Sequence, residues 1–149
     1  MSFYATIQGS IRYDKQQDFD AAMELLVRGQ WMKDGRLVRE DDRPISDGPD
    51  ADPEARTLRI PRAHYRNLAW ALGEGDLFQG GQGKVVWTST DGTFSAGVIN
   101  NGKEDAYDLI QWGTPKLGEP PDVDTSPEAY AYWQNEVEQA FFAAFRQEE

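Results

Sequence analysis

Polar and apolar positions alternate along residues 3–13. Phe3, Ala5, Ile7, Gly9, Ile11 and Tyr13 fall on one side, and Tyr4, Thr6, Gln8, Ser10 and Arg12 on the other. A period of two predicts a long strand with one buried face. Gly9 in its middle predicts a bulge or a close backbone approach. Asp14 to Asp18 offers a turn and a side-chain cap. Phe19, Ala22, Met23, Leu26 and Val27 then follow helical spacing as far as Gly29. A short hairpin is expected next, turning at Asp34-Gly35 and setting Trp31 opposite Val38. Residues 41–55 contain Pro44, Asp47-Gly48-Pro49 and Asp52-Pro53, which predicts an irregular loop contributing little to stability.

A second strand and helix follow. Leu58 and Ile60 alternate in a short strand, and Pro61 suits the first turn of a helix. The stripe of that helix is Tyr65, Leu68, Ala69 and Leu72, and Gly73 closes it. Residues 84–112 read as a three-stranded meander turning at Asp91-Gly92 and Asn101-Gly102. Two-residue loops there pair Trp87 with Ala96 and Val85 with Val98. They also bring Tyr107 opposite Ala96 and Leu109 opposite Phe94, so all these side chains share one buried face. Thr88, Thr90, Thr93, Ser95 and Asp108 occupy the other face, relieved by Val86 and Ile99.

Pro115, Pro120 and Pro121 mark residues 113–125 as a linker. Ser126 and Pro127 then open a C-terminal helix expected over 126–147, with Tyr130, Trp133, Val137, Ala140, Phe141 and Ala144 in one stripe. That stripe suits covering the sheet or docking another subunit. Strand, helix and hairpin thus occur twice, a possible β-α-β-β repeat with no residue identity between the halves. The expected architecture is a single α+β domain over residues 1–149: a mainly antiparallel sheet of about six strands with three helices, at least two of them on one face.

Composition narrows the function classes. The chain has 149 residues, 39% of them hydrophobic, which suffices for one core despite a mean hydropathy of -0.71. It has no apolar run of transmembrane length and no secretory-type N-terminus, so a soluble, cytoplasmic protein is expected. Cysteine is absent, which excludes disulfides, thiolate nucleophiles and cysteine-ligated zinc. The formal net charge is -11, with seven acids against Arg43 over 40–54 and six against Lys116 over 104–124. Such acidity disfavours nucleic acid and anionic membranes and could steer a basic protein partner.

The candidate chemistry is thin. Gly80-Gly81-Gln82-Gly83-Lys84 resembles a phosphate loop only superficially. Phe78 stands where the leading Gly is needed, Val85 follows the Lys, and a strand comes after it in place of a helix. Asp47, Asp50, Asp52 and Glu54 lack EF-hand spacing, so a solvated loop is expected there, and no metal. His64 is the single histidine and has no nucleophile or orienting partner identifiable from sequence. Arg56, Arg59, Arg62 and Arg66 surround it, with Arg62 and Arg66 on one face of the expected helix. They suit a phosphate or carboxylate ligand. Pairing with the acidic 40–54 loop is the simpler expectation. Trp70 lies off its helix stripe and is a candidate contact residue.

The leading expectation is a non-enzymatic, acidic protein-binding domain without cofactors, of inhibitor or immunity type. Its candidate contacts are Asp41, Asp42, Asp50, Asp52, Glu104, Asp105, Asp108 and Trp70. One alternative is a small-ligand binder or enzyme using Arg59, Arg62, His64 and Arg66. Another is an assembly subunit that forms homo-oligomers through the C-terminal helix.

Overall fold

The computed structural model describes residues 4–39, 41–74, 76–89, 95–108, 121–122 and 124–144. The elements are β1 (Tyr4–Tyr13), α1 (Gln16–Arg28), β2 (Met32–Lys33), β3 (Arg36–Leu37), β4 (Ala51–Asp52), β5 (Thr57–Arg66), α2 (Leu68–Gly73), β6 (Gly81–Ser89), β7 (Ser95–Asn100), β8 (Lys103–Asp108) and α3 (Pro127–Ala144). One antiparallel sheet has six strands in the order β4-β5-β1-β6-β7-β8, and β2-β3 form a separate hairpin. The chain is α+β, with three helices among the described residues.

Ala5, Ile7, Ile11 and Tyr13 point from β1 into the larger core, as their alternation predicts. They meet Leu58, Ile60 and Tyr65 from β5, Val85 and Trp87 from β6, and Ile99 from β7. Phe19, Ala22 and Leu26 of α1 and Leu68, Ala69 and Leu72 of α2 close this face. The Tyr13 hydroxyl donates to the Leu77 carbonyl. Burial, then the charge of Asp18, pushes that phenol well above its ordinary range. Lys15 precedes α1 with no side-chain cap, so the expected acidic cap is absent.

Asp34-Gly35 and Asn101-Gly102 turn as expected, all four residues at positive φ. Lys33 pairs Arg36, and Val38 N donates to Trp31 O at 2.9 Å. The expected bulge is also present: pairing slips between Ile7↔Ala63 and Gly9↔Ile60. A Cβ at Gly9 would stand 2.3 Å from the Lys84 carbonyl oxygen, so β6 approaches β1 more closely there than a side chain allows.

Three expectations are corrected. First, Pro61 does not open a helix; β5 runs through it to Arg66. Gln8 alone faces both Pro61 and Arg62, so the extra residue of the bulge lies in β5. A bulge tolerates a residue that lacks a backbone N–H. It also exchanges the faces of the strand, because Leu58 and Ile60 are buried before it and Tyr65 after it. Second, the first meander hairpin is shifted by one residue. Val86 pairs Val98, Trp87 pairs Gly97 and Thr88 pairs Ala96. A one-residue shift sends alternate side chains to opposite faces. Val85 and Trp87 therefore enter the larger core, whereas Val86, Ala96 and Val98 form a second one. The ring of Trp87 lies over Gly97, where a Cβ would stand 2.4 Å from its Nε1. Third, residues 41–55 are not wholly irregular, since Ala51 and Asp52 pair Leu58 and Thr57. The second meander turn keeps its expected register, with Ala96 opposite Tyr107. Leu109, Phe94, Thr90, Thr93 and most of the 113–125 linker lie outside the described residues.

The helix α3 covers the second face. Trp133, Val137, Phe141 and Phe142 pack on Val86, Ala96 and Val98. Its apolar stripe is thus buried against β6 and β7 of its own chain. No helix among the described residues is long and apolar enough to cross a membrane.

Candidate functional site

From Ile60 onward, β5 has no strand on its outer side among the described residues, because β4 pairs only as far as Leu58. A cleft of about 910 Å³ opens along this edge. It takes side chains from both faces of β5 because it wraps around the edge. Arg62, His64 and Arg66 come from the side that also carries Tyr4. Trp31, Val38 and Arg39 come from the hairpin, and Asp41, Asp42 and Ile45 from the loop beyond it.

Several contacts fix its walls. The Tyr4 ring stacks on the His64 imidazole, with centroids 5.5 Å apart and planes inclined by 7°. Trp31 Nε1 donates to the Arg66 carbonyl at 2.7 Å. The Tyr65 hydroxyl donates to the Pro61 carbonyl at 2.6 Å, and burial, then the charge of Asp50, pushes that phenol well above its ordinary range. Arg62 places its guanidinium carbon 4.7 Å from the centroid of Phe142 on α3.

The loop on the far wall is anchored by a residue that the sequence assigned to a partner surface. Asp50 is 2% exposed, and its carboxylate accepts from Leu37 N and Ser46 Oγ at 2.6 Å each. Asp50 N also donates to Gly35 O, and Arg59 N to Asp50 O. Asp41 receives the Arg43 backbone N–H and its guanidinium Nε, the latter at 2.6 Å. Those bonds, the backbone one first, hold its carboxyl below the usual range.

Of the expected ligand residues, Arg62, His64 and Arg66 line the cleft and Arg59 does not: it shares their face but pairs with Ser10, four residues along β1 from the Thr6 that pairs with His64. Arg62 and Arg66 share a face as expected, although the element is a strand; spacing of four preserves the face in either case, and the strand adds His64. Among the described residues no ion pair joins Arg56, Arg59 or Arg62 to the acidic loop. Arg56 instead donates from Nε to the Tyr13 carbonyl.

The acidic candidates separate. Asp41, Asp42 and Asp52 are exposed near one edge of the sheet, and Glu104 and Asp105 on β8 at the other. Five strand spacings, ~24 Å, lie between these edges. The side chain of Asp108 lies outside the described residues. Trp70 is 48% exposed on α2, as its position off the stripe predicts. Among the described residues no group of three histidine or carboxylate side chains is placed to hold a metal ion.

Tyr4, Trp31 and Arg39 were not identifiable as site residues from the sequence. Tyr4 reads as the polar side of an alternating strand, and Trp31 and Arg39 reach the cleft through the hairpin fold. Comparison with protein-family models, curated proteins and solved structures found no match.

Proposed function

We propose that this chain is a non-catalytic binding protein that takes a small anion with a planar group in the cleft along β5. The supporting observation is a reversal of charge. In a chain of net charge -11, one cleft gathers Arg39, Arg62, Arg66 and His64 against Asp41 and Asp42, and Asp41 is engaged by Arg43. Guanidinium groups suit a carboxylate, sulfonate or phosphate, and Tyr4, His64 and Trp31 suit a flat ring. The volume falls within the usual range for small-molecule sites, ~300–1,000 Å³. A lone imidazole stacked on a phenol ring gives no nucleophile–base pair, so the reading is of binding and not of turnover.

Benzenedisulfonate, whose charge does not titrate near neutrality, is a suitable probe in titration calorimetry. Arg62→Gln and Arg66→Gln are each expected to weaken its binding about tenfold, and Arg59→Gln to leave it unchanged. Equal affinity in all four proteins rules out the cleft as the site.

A second reading keeps the protein partner but relocates the contact. A Cβ at Gly73 of α2 would stand 2.9 Å from Glu104 Oε2, so β8 lies beside the helix that exposes Trp70. A basic partner would meet an aromatic residue with Glu104 beside it there. If so, reversal of Glu104 to Lys slows association and reduces its salt dependence. An unchanged association rate counts against this surface.

A further inference from the structure

Arg62 has neighbours on two sides. It lines the cleft, and it also reaches α3, where Phe142 lies beneath its guanidinium. One helical turn before Phe142 comes Glu138, half-buried between α3 and the sheet. Thr88, Thr6 and His64 stand side by side across β6, β1 and β5 on the face that α3 covers, and Arg62 reaches Phe142 one turn along from Glu138, so the charges of Arg62 and His64 act on its carboxyl. Thr88 is 1% exposed, so the floor beneath Glu138 is closed to water. The carboxylate therefore draws on the same two β5 groups, Arg62 and His64, that face the cleft.

We infer that Glu138 is an internal competitor for the cleft cations, so that anion binding along β5 is linked to the protonation of a carboxyl group on α3. The inference rests on the cleft reading above and concerns the regulation of that same site. Its physical basis is charge sharing. An anion beside Arg62 and His64 places a second negative charge near Glu138 and disfavours its ionised form. By reciprocity, an ionised Glu138 weakens anion binding by the same factor. Burial already holds the Glu138 carboxyl above its ordinary value of 4.5, while Thr88, Arg62, Gln134 and His64 pull it back. The linkage therefore operates from that value upward. Anion affinity falls as pH rises through the Glu138 titration, and binding within that window takes up a proton.

His64 lies in the cleft itself, so a variant of Glu138 and one of His64 are both needed. Calorimetry with benzenedisulfonate in buffers of different ionisation enthalpy measures affinity and proton uptake together. Glu138→Gln is expected to bind about fivefold more tightly than wild type at neutral pH, the low end of typical coupling. It should also lose the proton uptake that His64→Gln retains. A Glu138→Gln affinity equal to or below wild type, with uptake unchanged, overturns the inference.

A second measurement needs no ligand. Glu138 is titrated by carboxyl carbon shifts in wild type and in Arg62→Gln. Loss of the Arg62 charge should raise its midpoint further, and an unmoved midpoint overturns the linkage. The two claims then fail separately. Absence of probe binding removes the cleft reading together with this one, whereas binding with an indifferent Glu138 removes this one alone.

Discussion

The two faces of the six-stranded sheet are built differently. One is dry from β5 to β7: β1, β5, β6 and β7 contribute a continuous set of apolar side chains, and α1, α2 and the β2–β3 hairpin close over it. The other is dry only over β6 and β7, where Val86, Ala96 and Val98 meet α3. Toward β1 and β5 that face carries Tyr4, Thr6, Arg62 and His64, and it ends at an edge that, among the described residues, no strand covers from Ile60 onward. The first face has the apolar area to hold the fold together. The second runs out of apolar area partway across, and its charged remainder is where the cleft and Glu138 lie.

The largest test of this contrast is Trp87→Ala. Trp87 is 7% exposed and belongs to the continuous face, so its loss should cost roughly 3–5 kcal/mol and lower protection from exchange throughout the sheet. A loss below about 1 kcal/mol in urea melts would mean that its ring does not fill this core. Phe141→Ala probes the second face. It should cost about 2–4 kcal/mol, because undocking of α3 limits the damage. Hydrogen exchange should then show α3 amides exposed while β1 and β5 stay protected. Uniform loss across the sheet would erase the distinction between the faces. Asp50→Ala tests the wall where the two faces meet. Leu37 N and Ser46 Oγ lose their acceptor, at about 1–3 kcal/mol. Probe affinity in the cleft should fall with it, because the loop carrying Asp42 and Ile45 is anchored there.

The contrast also explains which parts of the fold were legible. Where one face was buried and the other wet, as in β1, alternation identified the element and its orientation. Where both faces were buried, as over Val85 to Ser89, every residue is inside and alternation carries no phase. The Asp91-Gly92 signal then suggested a tight turn, whereas the observed pairing of Ser89 with Ser95 leaves residues 90–94 between the strands. In β5 the misreading has another cause. Tyr65, Leu68, Ala69 and Leu72 have helical spacing by coincidence: the first ends a strand, the others belong to α2, and Asn67 at φ 62 redirects the chain between them. The site was half legible. Arg62 and Arg66 stand out by composition, but the aromatic walls and the Glu138 carboxyl reach them only through tertiary contacts.

The bulge at Pro61 has a consequence for how this chain tolerates changes of length. Strand parity is inherited along the backbone, so the one extra residue sets the orientation of everything from Ala63 to Arg66. Deleting Pro61 while keeping both strand ends paired would turn Tyr65 outward and carry His64, with Arg62 and Arg66, toward the apolar interior. A deletion of a single codon at this point would therefore act as an inversion of the cleft's chemistry. Removing two codons would restore parity and shorten the strand, and among length variants of this segment it is the even-numbered changes that leave a basic edge facing water.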